Sequence, residues 1–513
     1  MATVSPEYNG KKHGILCTAM ALFVLSSLAL SFSFFNESTL HHHTIITQAY
    51  AQPYVETVKH RDLTIDLGNG LETNAQLTIP GVGEGPFPGV LLIPGSGAVD
   101  LNETTGFILV DNKTASNIYP HAQPLFQVSK YLSERGFVVL RYDKRGVGSN
   151  YTILDSDVWG NLTFNNLKQD AERALSVLLQ QPEVNATKKA TIFAHSEGTT
   201  VAPRVAVDNP DKVSNVVLMG ALAQNAINDV QYYQEVAAPL LYAERILDRG
   251  HQGLLSVAEA SKDPIFQRLI NQASGTDLSH VLAFTQSNVT DAQNRTEKLE
   301  PTHNSSFLSI EDEFKPALVA SYENHTSHSE SMSSAKCLNL LGCPSWVRSH
   351  SQLDDTLSMI GNMSLDISIL ILQGENDSQV PLEQGLLLQQ RLTEVNHPDH
   401  LIIAYPELGH VFYPSNEWVT SFGPIEEYVL QDMFEWLVSP SRNVDAAQQE
   451  ANSANKTSAA EGITSEGCQS GYGYLKNDTN PTCYPIGSIG IPPPKDKVFC
   501  AALGCPYNPP DLG

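Results

Sequence analysis

Lys188–Pro203, KKATIFAHSEGTTVAP, is the stretch on which the reading of the chain turns. Ala190–Phe193 is a short apolar run with β-branched and aromatic residues, as a buried strand requires. Ser196 follows it, flanked two positions away by Ala194 and Gly198, and the residues after Gly198 can continue as a helix. A serine on a sharp strand-to-helix turn needs small neighbours at those two positions, because a larger side chain would meet passing backbone. Ser196 is therefore a candidate nucleophile.

The strand before Ser196 is one of six short apolar runs that end in Gly- or Asp-containing elbows. The others are GVLLIPGSG (Gly89–Gly97), GFVVLRYDKRGVGS (Gly136–Ser149), NVVLMGAL (Asn215–Leu222), SILILQGENDSQVP (Ser368–Pro381) and LIIAYPELGH (Leu401–His410). Continuous Val/Ile/Leu runs mark strands buried on both faces, so the pattern predicts an α/β fold with a mostly parallel sheet and helices on both faces. The segments between have helical spacing, with Leu125, Val128 and Leu132 on one face and Phe164, Leu167, Ala171, Ala174 and Leu178 on another. Before the series, alternation from about Tyr54 to Leu77 around Gly68-Asn69-Gly70 predicts an antiparallel hairpin.

The predicted organisation is an N-terminal targeting or anchoring segment (1–51), the first part of the core (52–224), an insertion (225–365), the second part of the core (366–440), a small polar linker (441–466) and a Cys-rich module (467–513). An insertion of that length cannot be a structureless loop, so a largely helical cap or lid is expected.

In an open parallel sheet, ligands gather at the carboxyl ends of the strands. Three polar residues occupy such positions in chain order: Ser196, Asp377 and His410. A serine hydroxyl needs a base to take its proton and a third group to fix that base's tautomer, roles that suit His410 and Asp377. Glu375 is the rival acid, and His195 reads as packing or polar support. An oxyanion forming at a carbonyl needs N–H donors: Glu197 qualifies by following the nucleophile, and Ser96, between Gly95 and Gly97, is the choice for the second. Arg145–Asn150, RGVGSN, lacks the third glycine of a dinucleotide fingerprint and reads as a turn.

The segments LLIPGSGAVD, GFVVLRYDKRGVGS, AHSEGTTVAP, LQGENDSQVP and ELGH, with CPSWVRS before the SILILQGENDSQVP run, resemble the α/β-hydrolase superfamily. Within it the chain is similar to the capped prokaryotic serine esterases grouped with serine aminopeptidase-like hydrolases. The resemblance covers roughly Tyr54 to Pro440 and implies an α/β-hydrolase fold. It matches Ser196, Asp377 and His410 to the triad, and Ser96 and Glu197 to the oxyanion positions. Ala194 stands where glycine is usual, Thr199 where a further glycine is common, and the cap is long and hydrophilic.

Charge and cysteine usage bound the partners. A formal net charge of -25 leaves no basic surplus for phosphates, so no nucleic-acid partner is expected. Gly14–Phe35 is uncharged and follows Lys11 and Lys12, which reads as a cleaved signal peptide or a membrane anchor and puts the protein outside the cell or on its surface. Cys337 and Cys343, and separately Cys468, Cys483, Cys500 and Cys505, are candidates for disulfides in an oxidising compartment. N-x-S/T sequons such as Asn36, Asn102, Asn112 and Asn324 suit an exported surface. Attachment to a surface or polymer is the expected role of the C-terminal module.

The function expected from these readings is an exported serine hydrolase of small carboxylic esters, working through an acyl-enzyme with no metal or organic cofactor. Trp346 and Arg348 are the candidate substrate contacts from the insertion. Two alternatives stand beside it. One is an aminopeptidase or amidase, for which Glu311, Asp312 and Glu313 could hold a substrate amine; the other is a non-catalytic binding protein on the same scaffold.

Overall fold

Val58–Gly68 (β1) and Leu71–Pro80 (β2) pair antiparallel, and the chain reverses through Gly68, Asn69 and Gly70, all at positive φ. That is the backbone a tight hairpin demands of its turn residues. The computed structural model describes residues 57–109, 115–149, 152–274, 278–285, 307–331 and 343–439, with strand segments Tyr472–Leu475, Tyr484–Pro485 and Phe499–Ala501. The expected N-terminal segment and linker, together with Cys337, Cys468, Cys483 and Cys505, lie outside the described residues.

The six apolar runs are strands of one sheet: Gly89–Ile93 (β3), Val138–Tyr142 (β4), Ala190–His195 (β5), Val213–Met219 (β6), Ser368–Gly374 (β7) and His400–Tyr405 (β8). Its order is β1-β2-β4-β3-β5-β6-β7-β8. The hairpin joins the sheet where β2 runs antiparallel to β4, and every pairing from β4 to β8 is parallel.

Alternate residues of these strands feed two separate apolar layers. Leu91, Leu140, Ile192, Leu218 and Ile371 pack with helices Phe164–Leu179 (α2), Gly198–Asp208 (α3) and Leu382–Glu394 (α4). Leu92, Val139, Phe193, Val217 and Leu372 pack with Pro124–Ser133 (α1) and Glu427–Val438 (α5). Each such side chain contributes about 1.5–3 kcal/mol when fully buried. The reason for the continuous hydrophobic runs is thus visible: neither face of the sheet meets water. Since β3 lies between β4 and β5, the strand order reverses at β3, and it is at the carboxyl ends of the strands beside such a reversal that open α/β sheets bind ligands.

Between β6 and β7 the chain builds a second apolar cluster. Tyr233, Val236, Tyr242, Phe266, Leu269, Phe314 and Leu318 form it, with Trp418 and Val419 joining from the loop after β8. Its elements are mostly helical, including π-helical turns at Ala226–Gln231, Tyr233–Ala237 and Ala243–Leu247, plus a short antiparallel pair, Leu254–Ser256 with Phe307–Ser309. The last part of the insertion behaves differently: Cys343, Ile360 and Met363 belong to the core layer beneath the sheet.

Cys343 is disulfide-bonded. Tyr472–Leu475 pairs antiparallel with Tyr484–Pro485 and with Phe499–Ala501, the strand that contains Cys500. Gly146 turns the chain after β4 at positive φ, and Val147–Gly148 pairs with Thr152–Ile153, so the glycines of the RGVGSN run serve a small hairpin. The amide oxygen of Asn102 accepts from the buried Arg141 guanidinium. No helix among the described residues is long and apolar enough to cross a membrane; Gly14–Phe35 is not among them.

Candidate active site

Ser196 lies directly after β5 and holds φ at 52°, the left-handed region that non-glycine residues rarely occupy. Its amide donates to the Met219 carbonyl at 2.9 Å, and its own carbonyl accepts from the Thr199 amide at 2.8 Å and the Thr199 hydroxyl at 2.6 Å. Thr199 Oγ1 in turn takes the Leu222 N–H at 2.9 Å, so the threonine at this position stitches the turn to the end of β6. A Cβ on Gly198 would sit 2.7 Å from the Ile93 carbonyl oxygen, which is why that position stays small. Ala194 is fully buried and its methyl is accommodated, so the alanine for glycine exchange leaves the turn intact.

The three strand-end residues converge. His410 Nε2 is 2.9 Å from Ser196 Oγ, and His410 Nδ1 is 2.8 Å from Asp377 Oδ2. Asp377 Oδ1 accepts the amides of Gln379 at 2.9 Å and Val380 at 2.8 Å, so the loop after β7 supplies both the carboxylate and the donors that orient it. A carboxylate at Nδ1 keeps the proton on that nitrogen and turns the Nε2 lone pair toward the hydroxyl. Asp377 is 1% exposed and His410 4% exposed, and water competes little for these bonds. Gly220, at φ 63°, is backed by the imidazole, 3.3 Å from Nδ1 to where its Cβ would lie. Glu375, the rival acid, stays half-buried at the β8 side, its amide bonded to the Tyr405 carbonyl.

Ser96 lies in the bend after β3, next to the turn that carries Ser196, where a Cβ on Gly95 would come 3.1 Å from Ser196 Cβ. No acceptor among the described residues takes the amide of Ser96 or of Glu197. Two uncommitted N–H groups beside a hydroxyl are what a developing oxyanion requires.

The Glu197 side chain points the other way, beneath the turn. Lys144 Nζ stands 2.6 Å from Oε2, His350 Nε2 stands 3.0 Å from Oε1, and the Trp346 indole donates to Oε1. Burial works to raise the Glu197 pKa, but Lys144 and His350 outweigh it and hold the carboxyl down at about 2. Trp346 is therefore placed as an anchor of the Pro344–Ser351 helix to the core, its ring 4.3 Å from that of His350, while Arg348 is exposed on the same helix. Neither Trp346 contact is with the Ser196 hydroxyl. The acids Glu311, Asp312 and Glu313 are exposed and serve their own helix turn: Glu313 accepts the Ser309 amide and Glu311 pairs with Lys315.

His195, expected as polar support, bonds Glu103 through Nδ1 at 2.7 Å and the His410 carbonyl through Nε2 at 3.0 Å. Sequence reasoning passed over Glu103 and Lys144. Each is separated from its partner by a long stretch of chain, and the sole local trace of Glu103 is an acid in the loop that follows PGSG.

A family model described as serine aminopeptidase, S33, matches residues 118–310, a segment that contains Ser196. Esterase EstD of Thermotoga maritima is 31% identical over 176 residues, which cover 34% of this chain and 35% of that protein, so the chain spans about a third of the length of this relative. Among solved structures, a thermostable carboxyl esterase from Bacillus coagulans has 15% identity and a TM-score of 0.41, covering 74% of this chain and 97% of that one. The proline iminopeptidase of Mycobacterium smegmatis has 15% identity and a TM-score of 0.37, covering 77% and 100%. With a mostly parallel sheet whose order reverses at β3 and a strained serine turn after β5, the chain has an α/β-hydrolase fold, and over part of its length it is similar to serine aminopeptidase and esterase sequences.

Proposed function

We propose that the protein is a serine hydrolase that cleaves small carboxylic esters through an acyl-enzyme intermediate. The observation that carries the reading is the Asp377–His410–Ser196 series, with contacts of 2.8 and 2.9 Å ending on a serine at φ 52°. In this reading His410 takes the Ser196 proton as Oγ attacks the ester carbonyl, and the Ser96 and Glu197 amides receive the oxyanion. His410 then returns the proton to the leaving alcohol. Water, activated by the same imidazole, releases the acid and restores the serine. Every proton that leaves one group in this cycle has a named acceptor, and the residues alone suffice for it.

A serine aminopeptidase or amidase is the second reading, favoured by the description of the family model that matches residues 118–310. Against it stands the exposure of Glu311, Asp312 and Glu313, which leaves those acids on the outside of the cap. Export remains the reading of Gly14–Phe35, supported by the disulfide at Cys343. The deciding experiment is a fluorophosphonate probe on the wild type and on Ser196→Ala, followed by aryl esters against aminoacyl anilides. Labelling and ester turnover that vanish in Ser196→Ala support the reading; unlabelled wild type would point to a binding protein.

A further inference from the structure

Glu103 is 3% exposed, sits at φ 52° and belongs to no strand or helix. Its loop is strapped from within: Asp100 Oδ1 accepts the amides of Asn102 at 3.1 Å and Thr104 at 3.0 Å, and Asp143 Oδ1 takes the Leu101 amide at 2.6 Å. The strapping aims the Glu103 carboxylate back at the start of its own loop. There Oε1 accepts two donors at once, the Gly95 amide at 3.1 Å and His195 Nδ1 at 2.7 Å. The far side of the His195 ring meets the main-chain oxygen of His410 at 3.0 Å, and because a carbonyl can only accept, that nitrogen carries the hydrogen. The second carboxylate oxygen, Oε2, is buried and has no hydrogen-bond partner among the described residues. Keeping an incompletely satisfied carboxylate in the interior is costly, and such groups persist where a second demand fixes them.

We propose that Glu103 and His195 are positioning residues, a carboxylate–imidazole bridge that locks the oxyanion loop Pro94–Gly97 to the main chain of His410. The proposal rests on the reading of Ser196 and His410 as nucleophile and base. One oxygen atom, Oε1, ties the loop that presents the Ser96 amide to the ring that holds the histidine, so the distance between oxyanion donor and base is set by a single side chain. Glutamine cannot reproduce this. Its oxygen could accept both donors only with an uncompensated imidazolium at His195, and its NH2 group could reach the imidazole only by abandoning the Gly95 amide. Burial pushes the His195 pKa down, while the adjacent Glu103 charge pushes it up further, in keeping with an imidazolium held by that carboxylate.

The test uses the full chain and a small aryl ester, with Ser196→Ala as the control for the underlying reading. If Ser196→Ala keeps its turnover, the hydrolase reading itself has failed and the bridge with it. If Ser196→Ala is inactive, the bridge is judged on its own. Glu103→Gln should then lower kcat by about 10- to 100-fold with KM within about threefold, the cost of misplaced reacting groups rather than of lost binding. A boronic acid that mimics the tetrahedral adduct should weaken by about the same factor as kcat/KM. His195→Ala should show a smaller kcat loss of the same kind, and the double variant should match Glu103→Gln alone, since both act through one bridge. A folded Glu103→Gln with kcat within twofold of wild type overturns the proposal, as does a double variant whose loss is the product of the singles. Should Glu103→Gln not fold, His195→Ala decides alone: kcat within twofold of wild type overturns the bridge.

Discussion

Lys144 Nζ lies 2.6 Å from the Glu197 carboxylate beneath the turn that carries Ser196, with both side chains almost fully buried. The residue that follows the serine thus has two sides: its amide has no acceptor among the described residues, and its side chain anchors the turn to the core. Removing Lys144 leaves the buried Glu197 carboxylate with only its His350 and Trp346 contacts, and removing Glu197 leaves a buried ammonium without its carboxylate. We expect Lys144→Met to destabilise the fold by about 3–5 kcal/mol in urea unfolding, and Lys144→Met combined with Glu197→Leu to recover most of that loss. A single variant as stable as wild type would show that the pair is solvated.

The same carboxylate makes stability depend on acid pH. Its pKa falls from the ordinary 4.5 to about 2 on folding, so the pair's contribution is complete above pH 4.5 and is lost as pH falls toward 2. The size is on the order of 3 kcal/mol. Urea midpoints between pH 6 and pH 2 should fall steeply for the wild type and less steeply for the Lys144→Met, Glu197→Leu double variant. Parallel curves would refute the assignment.

Glu383, in the first turn of α4, has the opposite sign. Burial pushes its carboxyl up to about 8, so the folded protein keeps a proton that the unfolded chain releases near 4.5. Stability from this group is therefore present below pH 4.5 and is lost as pH rises through 8. We expect Glu383→Gln to flatten that slope and to be the more stable form at pH 8, by at most about 5 kcal/mol. Identical pH slopes for variant and wild type would place the proton elsewhere.

Ser196 and His410 act as one unit in the proposed mechanism. Replacing either by alanine should cost on the order of a millionfold in kcat, and Asp377→Asn about 10⁴-fold, because an amide can hold the imidazole in the wrong tautomer. Steady-state rates on one aryl ester decide this. A Glu375→Gln variant with a loss as large as Asp377→Asn would reassign the acid.

These candidate residues were legible because each lies in the segment that follows an apolar run. Buried parallel strands write themselves as unbroken Val/Ile/Leu segments, and the loops leaving the carboxyl edge of the sheet carry Ser196 directly after β5, Asp377 in the turn after β7 and His410 in the loop after β8. Contacts between loops leave no such trace. Glu103 meets His195 across 92 positions and Lys144 meets Glu197 across 53, and neither pairing has a periodicity to announce it. Trp346 shows the limit of reading by residue type: an aromatic in the insertion suits a substrate contact and an anchor of the cap to the core alike, and composition could not place the buried carboxylate that engages its indole N–H.

The cap is fastened to the site through the histidine loop. Trp418, in the stretch that follows His410, packs its ring 5.0 Å from Tyr242, which stacks 5.6 Å from Phe266 in the cap cluster. Trp418→Ala removes that fastening at a cost of about 3–5 kcal/mol. The triad geometry is built by β5, β7 and β8 and does not depend on this ring, so kcat on the smallest ester should change little. If the cap covers the acyl group, KM for longer acyl chains should rise. An equal loss on short and long esters would mean that Trp418 supports the His410 loop itself.

Every residue of the proposed site precedes the end of α5 at Val438, and α5 closes the second apolar layer with Val429, Leu430 and Met433. Among the described residues α1 and α5 cover that face of the sheet from Val139 to Leu372. A chain that stops at Pro440 should therefore fold and hydrolyse a small aryl ester at the rate of the full chain, with an unchanged unfolding midpoint. The strands at Tyr472–Leu475, Tyr484–Pro485 and Phe499–Ala501 pair among themselves, the pattern of a unit that supplies its own backbone partners. Reduced activity or a lowered midpoint in the shortened chain would instead make that small sheet part of the hydrolase body.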